Sequence, residues 1–195
     1  MFLSIPEQIA TARLQLRKPT SDMADAFMQA FAASLPELDT WFGWGSDPPT
    51  TLDSVRDMAS RIDALWQKQE YFAWRVFLND SDTMVGNLDL HSWDWDVPRC
   101  EIGFWGRTDY GGHGYMTEAV TAVLERALTE WGLQRVEAIS DARNVRAHRV
   151  LERAGMAREG IMRNYERDAR GVLCDQVLFA RVPPTYPSQT PLHRA

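Results

Sequence analysis

A chain of 195 residues with a net charge of −6, eight tryptophans and two cysteines excludes several classes of protein before any motif is read. The length suits one domain with a full core, the aromatic content argues against disorder, and the acidic balance speaks against direct nucleic-acid binding while suiting a cationic substrate. No run approaches the roughly 18 apolar residues of a membrane span, and Met1–Glu7 lacks the basic and apolar segments of a signal peptide. Cys100 and Cys174 have no metal spacing and form no disulfide framework. No metal is therefore expected, and a reducing cytoplasm is the simple reading.

In chain order, Thr20 or Ser21 is predicted to cap a helix running to about Ala33, with Met23, Phe27, Ala30 and Phe31 on one face. A Gly-, Pro- and Trp-rich loop through Trp41, Gly43, Trp44, Gly45, Pro48 and Pro49 follows. A second helix carries Leu52, Val55, Met58, Ala59, Ile62, Leu65 and Trp66 at helical spacing. Phe72 to Leu78 and Met84 to His91 read as a hairpin, and Glu101–Trp105 as a buried strand. Next come three glycines in Tyr110-Gly111-Gly112-His113-Gly114, leading into a helical stripe of Met116, Val120, Val123, Leu124, Ala127, Leu128 and Trp131. Arg135–Ser140 reads as a strand. A short helix with cap residues Asp141 and Asn144 and a stop at Gly155 follows it, then two strands near 156–164 and 174–182 turned at Arg170-Gly171. Pro183, Pro184, Pro187 and Pro191 mark a loose tail, so one domain over 1–182 and a tail over 183–195 are expected. Strands followed by alternating strand and helix imply an α/β fold, a mixed sheet flanked by helices.

Strand, glycine turn and helix in that order make an anion site. The first helical N–H groups have no partner and carry about half a positive charge, and glycines let a phosphate come close. The spacing is not that of a dinucleotide fingerprint, because the third glycine is missing, nor of a nucleotide P-loop, because Gly-Lys-Ser/Thr is missing. A phosphorylated cofactor of another kind is implied.

The segment Asp109-Tyr110-Gly111-Gly112-His113-Gly114 resembles the Gln/Arg-x-x-Gly-x-Gly/Ala motif of the GNAT superfamily of acyl-CoA-dependent N-acetyltransferases. The helix opening at Asn144 resembles the superfamily's Asn-x-x-Ser/Ala element. The stretches Thr11–Arg17, Leu35-Pro36-Glu37-Leu38 with Trp41 and Trp44, Glu101–Trp105 and Glu159–Tyr165 resemble its Rim-type branch, the ribosomal-protein N-terminal acetyltransferases. Two positions depart: Asp109 replaces Gln or Arg, placing a negative charge near a pyrophosphate, and Ala147 stands where many members have Ser. The resemblance implies a mostly antiparallel mixed sheet splayed between its fourth and fifth strands, with acetyl-CoA entering the gap. It places the coenzyme against Phe104, Trp105, Gly106, the run Asp109, Tyr110, Gly111, Gly112, His113, Gly114, Tyr115, Met116 and Thr117, and then Asn144, Arg146 and Arg149.

For the chemistry, an amine attacks a thioester only when neutral. An α-amine of pKa about 7.7–8 is already partly neutral near pH 7.4, whereas a lysine at about 10.4 is almost wholly charged. Glu101 is the leading base candidate and Glu159 the second. Asn144 is read as a coenzyme or water contact, or a pure cap. Tyr165 is read as an acid toward the leaving thiolate or as acceptor lining. Trp41, Trp44 and Trp93 suggest an aromatic acceptor wall, with core packing as the other account. His113 and His148 read as exposed bystanders. Three functions stay open: an acetyltransferase acting on a protein N-terminal α-amine, one acting on a small amine (polyamine, amino acid or aminoglycoside), and a non-catalytic acyl-CoA-binding module, any of them as monomer or homodimer.

Overall fold

The computed structural model describes residues 3–42, 51–168 and 170–184. Trp44, with the rest of its Gly/Pro-rich segment, and Pro187 and Pro191 of the tail lie outside them. The elements in order are β1 (Gln8–Ala10), β2 (Leu14–Arg17), α1 (Ala24–Phe42), α2 (Leu52–Gln67), β3 (Phe72–Leu78), β4 (Met84–Asp94), β5 (Arg99–Gly106), α3 (Tyr115–Thr129), β6 (Arg135–Asp141), α4 (Val145–Arg153), β7 (Ala157–Arg167) and β8 (Leu173–Arg181). The strands form one sheet in the order β1-β2-β3-β4-β5-β6-β8-β7. Among the described residues no helix is long and apolar enough to cross a membrane.

Every neighbouring pair in the sheet is antiparallel except β5 with β6. That parallel pairing covers only Arg99↔Arg135, Cys100↔Val136 and Glu101↔Glu137. Beyond Glu101, β5 stays bonded to β4 through Gly106, and β6 stays bonded to β8 through Asp141. The two strands therefore diverge, and the edge of β5 from Ile102 to Gly106 faces a fork. Counted from β2, these are the fourth and fifth strands, where the family resemblance placed the splay. The short strand Gln8–Ala10 was not foreseen.

Period-two alternation sorts the two faces of the sheet. Phe72 and Trp74 of β3 lie opposite Leu90 and Leu88 of β4, which lie opposite Ile102 and Phe104 of β5. This apolar face packs under α3, whose Ala119, Val120, Val123, Leu124, Ala127 and Leu128 are buried. The intervening residues, Arg75, Asn87, Asp89, His91 and Glu101, give the other face a polar character. At one end that face is closed by a second cluster of Phe27, Ala30, Phe31 and Leu38 from α1 with Phe77, Met84 and Trp105.

Helix α1 runs nine residues beyond the expected end at Ala33, through Pro36, so Trp41 is helical rather than part of a loop. A proline removes one N–H and disfavours helix at the residue before it, which is why the pattern stops there. Burial of Leu38, 2% exposed, in the α1 cluster offsets that cost and carries the helix on.

Helix α3 approaches β4 and β5 at two glycines. A Cβ on Gly86 would collide with Met116 Sδ and lie 2.6 Å from the Trp105 carbonyl oxygen, and one on Gly106 would lie 2.8 Å from Met116 Cγ. Each alanine substitution is expected to cost about 1–3 kcal/mol. In a Met116→Ala background the Gly106→Ala penalty should shrink, because its obstacle is a flexible side chain. The Gly86→Ala penalty should persist, because backbone also stands in the way. Urea unfolding of the three single and two double variants measures both.

Candidate active site

The divergence of β5 from β6 opens a cleft of about 620 Å³. Its walls are Phe104, Trp105 and Gly106 of β5; Tyr110, Gly111, Gly112 and Gly114 of the following loop; Tyr115, Met116 and Thr117 of the first turn of α3; and Asn144, Arg146 and Arg149 at α4. Thirteen of the fifteen residues expected to meet the coenzyme thus line one space, although they come from four separate segments. Trp41 joins them from the end of α1.

The loop is shaped for close approach. Gly112 and Gly114 have φ of +86° and +76°, left-handed values that glycine adopts without strain, and Gly114 is the N-cap of α3. The N–H groups of Tyr110 and Gly111 are taken by Arg107 O and Thr108 O. The first intrahelical bond runs from Glu118 N–H to Gly114 O at 3.0 Å, so the N–H groups of Tyr115, Met116 and Thr117 have no acceptor within the helix. The loop is tied down from an unexpected side. Glu118 accepts from the Thr11 hydroxyl (2.6 Å), the Arg13 N–H (2.9 Å) and Arg13 Nε (2.6 Å), while Arg13 Nη1 donates to His113 O. An acidic residue in the first turn of a helix is the signal that could have pointed to Glu118.

Asp109 and His113 do not line the cleft. Asp109 accepts two bonds from Arg107, at 2.8 and 3.1 Å, so its negative charge meets a guanidinium at once. The ring of His113 is exposed and stacks on Tyr115. On α4, the Asn144 Oδ1 accepts from Ala147 N–H at 3.1 Å and caps the helix. Arg146 Nη1 donates to Glu37 Oε1 at 2.8 Å, and Glu37 Oε2 accepts from Trp41 Nε1 at 3.1 Å, a link between α4 and α1 that sequence reasoning missed. His148, read as exposed, is half-buried: its Nε2 lies 3.0 Å from Asp141 O and its ring packs on Phe179.

The two carboxylate candidates have opposite surroundings. Glu101 is the last β5 residue still paired with β6, and its side chain is 23% exposed. Burial pushes its carboxyl above the ordinary range, and nearby Glu137 and Asp89 push it the same way, while His91 and the Ile139 N–H across the fork oppose them. Glu159 instead makes a two-pronged pair with Arg135, at 2.9 and 2.6 Å, which holds its carboxyl below the usual range. Arg135 also binds Glu137, which Arg99 reaches from the other side. A carboxylate so neutralised is a poor proton acceptor.

The remaining expected residues sit elsewhere. Tyr165 is 55% exposed in the irregular middle of β7, where the register to β8 shifts and Asn164 has φ +49°. Trp93 packs its edge on Phe72 and stacks with Trp95 at 4.7 Å, against the main core. Neither borders the cleft, and Glu101 does not line it either: it stands at the point where β5 and β6 part, beside the cleft wall.

Residues 13–157 match the family model described as an acetyltransferase (GNAT) domain. The uncharacterized N-acetyltransferase p20 of Bacillus licheniformis is 28% identical over 174 residues, covering 89% of this chain and 95% of that protein. Two solved structures superpose with high scores at low identity, so they speak to the fold. One is the RimL ribosomal α-N-protein acetyltransferase in complex with coenzyme A (TM-score 0.83, 20% identity, 91% of this chain and 98% of that one). The other is the microcin self-immunity acetyltransferase MccE with acetyl-CoA and AMP (TM-score 0.82, 16% identity, 91% and 97%). The forked sheet, the glycine cradle at a helix start and the family match together mean that this chain belongs to the GNAT acetyltransferases and is an N-acetyltransferase using acetyl-CoA.

Proposed function

We propose that the enzyme acetylates the α-amine of a protein N-terminus, by direct transfer within a ternary complex. One observation carries this reading: at the fork of the sheet stands a half-buried carboxylate, Glu101, whose nearest ionisable partner is a histidine rather than an arginine or lysine. Such a base suits an amine that needs only a modest pull. An α-amine lies within about one pK unit of neutral pH, whereas a lysine lies about three units away.

The cradle fits a pyrophosphate. The N–H groups from Gly112 to Thr117 precede the first intrahelical bond, the glycines keep side chains out of the way, and Arg149 and Arg153 of α4 add positive charge on the facing wall. Bound acetyl-CoA supplies an acetyl group activated as a thioester. Glu101 takes a proton from the acceptor ammonium, leaving a neutral nitrogen to attack. Glu159 is left out of this step because Arg135 holds its charge, and Tyr165 because it stands exposed on the irregular middle of β7. The RimL name, an acetyltransferase of ribosomal protein α-amines, agrees with this acceptor. Burial raises the thiols of Cys100 and Cys174 above their usual range, so neither is a ready nucleophile.

Valine at Gly112 or Gly114 should abolish coenzyme binding in calorimetry. At Gly112 a Cβ meets nothing within 4 Å, so the loss there is conformational, and asparagine, which tolerates φ > 0, should retain part of the affinity. Unchanged affinity in the valine variants would remove the cradle from the reading. Cys100→Ala and Cys174→Ala should keep most of the activity, and a trapped acetyl-enzyme or ping-pong kinetics would contradict direct transfer.

Glu101→Gln should lower kcat/KM about 10- to 100-fold. With an α-amine peptide the deficit should shrink as pH rises past 8, because neutral amine then forms unaided. A deficit that persists through pH 9, together with a preference for polyamines or other small amines over peptides, would favour the small-amine acceptor instead.

A further inference from the structure

Behind Glu101 lies a row of polar groups that the reaction as described does not use. His91 of β4 is the cross-strand partner of Glu101, so both side chains stand on the same face of the sheet. Its Nε2 is 3.7 Å from Glu101 Oε2, and its Nδ1 is 2.9 Å from Asp89 Oδ2. The Tyr71 hydroxyl reaches the same Asp89 carboxylate. That carboxylate lies against Gly103, where a Cβ would come within 3.0 Å of Oδ2, so any larger residue would displace it. Immediately after His91 the β4–β5 register breaks, and Ser92 takes φ +53°. Strain of that kind persists where surrounding structure holds it.

The order of contacts decides what His91 can do. A carboxylate at Nδ1 fixes the neutral tautomer with Nδ1–H donated to Asp89, which leaves the Nε2 lone pair aimed at Glu101. We propose that His91 is a positioning residue and proton reservoir for Glu101, with Asp89 as the group that orients it. This inference rests on Glu101 being the base. The acceptor ammonium transfers one proton to the Glu101 carboxylate, and Glu101 passes it to His91 Nε2 when the 3.7 Å gap closes to a hydrogen bond or is bridged by one water. Glu101 is an anion again, and His91 is an imidazolium between two carboxylates. The second proton of the attacking nitrogen leaves with the thiolate as thiol. The reaction therefore releases one proton net, the one stored on His91, whose side chain is 33% exposed and can return it to solvent.

The charges facing His91 are Asp89 on its own strand, Glu101 on β5 and the Tyr71 phenol at the start of β3, with Arg75 of β3 and Glu137 of β6 in the next ring of contacts. Arg75 is engaged by Asn87, and Glu137 by Arg99 and Arg135. Glu101 is thus the group left to share a proton with Nε2. The bond to Asp89 raises the His91 pKa above the usual 6.5, and the charge of Glu101 adds to that rise. A filled reservoir cannot accept, so the acid limb of kcat belongs to the pair rather than to Glu101 alone.

Two measurements test this. The first is an NMR titration of the imidazole carbons in the free enzyme, with the His91 resonance identified by its loss in His91→Asn. Its midpoint should lie above 6.5 and should fall in both Glu101→Gln and Asp89→Asn. A midpoint unmoved by Glu101→Gln overturns the proposal, since the two groups would then not share a proton. The second is the pH profile of kcat at saturating amine. In His91→Asn the acid limb should move down by at least one pH unit, and kcat at pH 8 should fall about tenfold. A lower kcat with an unmoved limb would make His91 merely structural. Wild-type activity in Glu101→Gln would defeat the base assignment itself, whatever the His91 titration gives, so the two failures are distinct.

Discussion

The site depends on a ladder that stops after three residues. β5 and β6 are parallel strands held together only from Arg99 to Glu101 and from Arg135 to Glu137, and each is then held by its other neighbour. A parallel pair inside an otherwise antiparallel sheet has its bonds slanted and slightly weaker, so this is where a twisting sheet parts at least cost. Once it parts, the β5 edge must find other partners or water, and the side chain of Glu101 is left at the apex. Cleft, backbone edge and base candidate all follow from one interrupted register.

The parts of the fold that were legible are those where one local signal decides. α2 and α3 carry unbroken apolar stripes, and the strand pairs around residues 79–82 and 170–171 are joined by turn residues. The end of α1 was not legible, because the proline rule is local whereas the burial of Leu38 depends on strands far along the chain. β1 is three residues long and exists through pairing with β2, which leaves no periodicity to read.

Within the site, the coenzyme side was the more legible half. Its contacts are backbone groups, and glycine spacing records backbone demands directly. The side-chain contacts were opaque. Asp109 looked like a liability until Arg107, two residues earlier, proved to cover it. Glu159 and Glu101 looked alike as carboxylates on strands. They differ because Arg135 stands beside one, while burial and His91 surround the other. Sequence names the ionisable group, but only three-dimensional neighbours set its proton affinity. Of the three functions left open, the non-catalytic module required both carboxylates to be tied up in ion pairs. Glu159 is held by a permanently charged arginine, whereas Glu101 meets only a histidine at 3.7 Å, in keeping with the family's chemistry.

The mouth of the cleft is organised around charge more than around the aromatic wall that the tryptophans suggested. Trp93 serves the core, while Trp41 reaches the cleft and is held there by Glu37, which also holds Arg146. The two oxygens of Glu37 therefore join α1 to α4 across the mouth of the cleft. Exposed pairs of this kind are worth only about 0–1 kcal/mol, so the link orders the mouth without locking it. Arg146 can exchange its carboxylate partner for a phosphate at small cost. The exchange leaves Glu37 bonded to Trp41, so one carboxylate couples the end of α1 to the charge carried on α4.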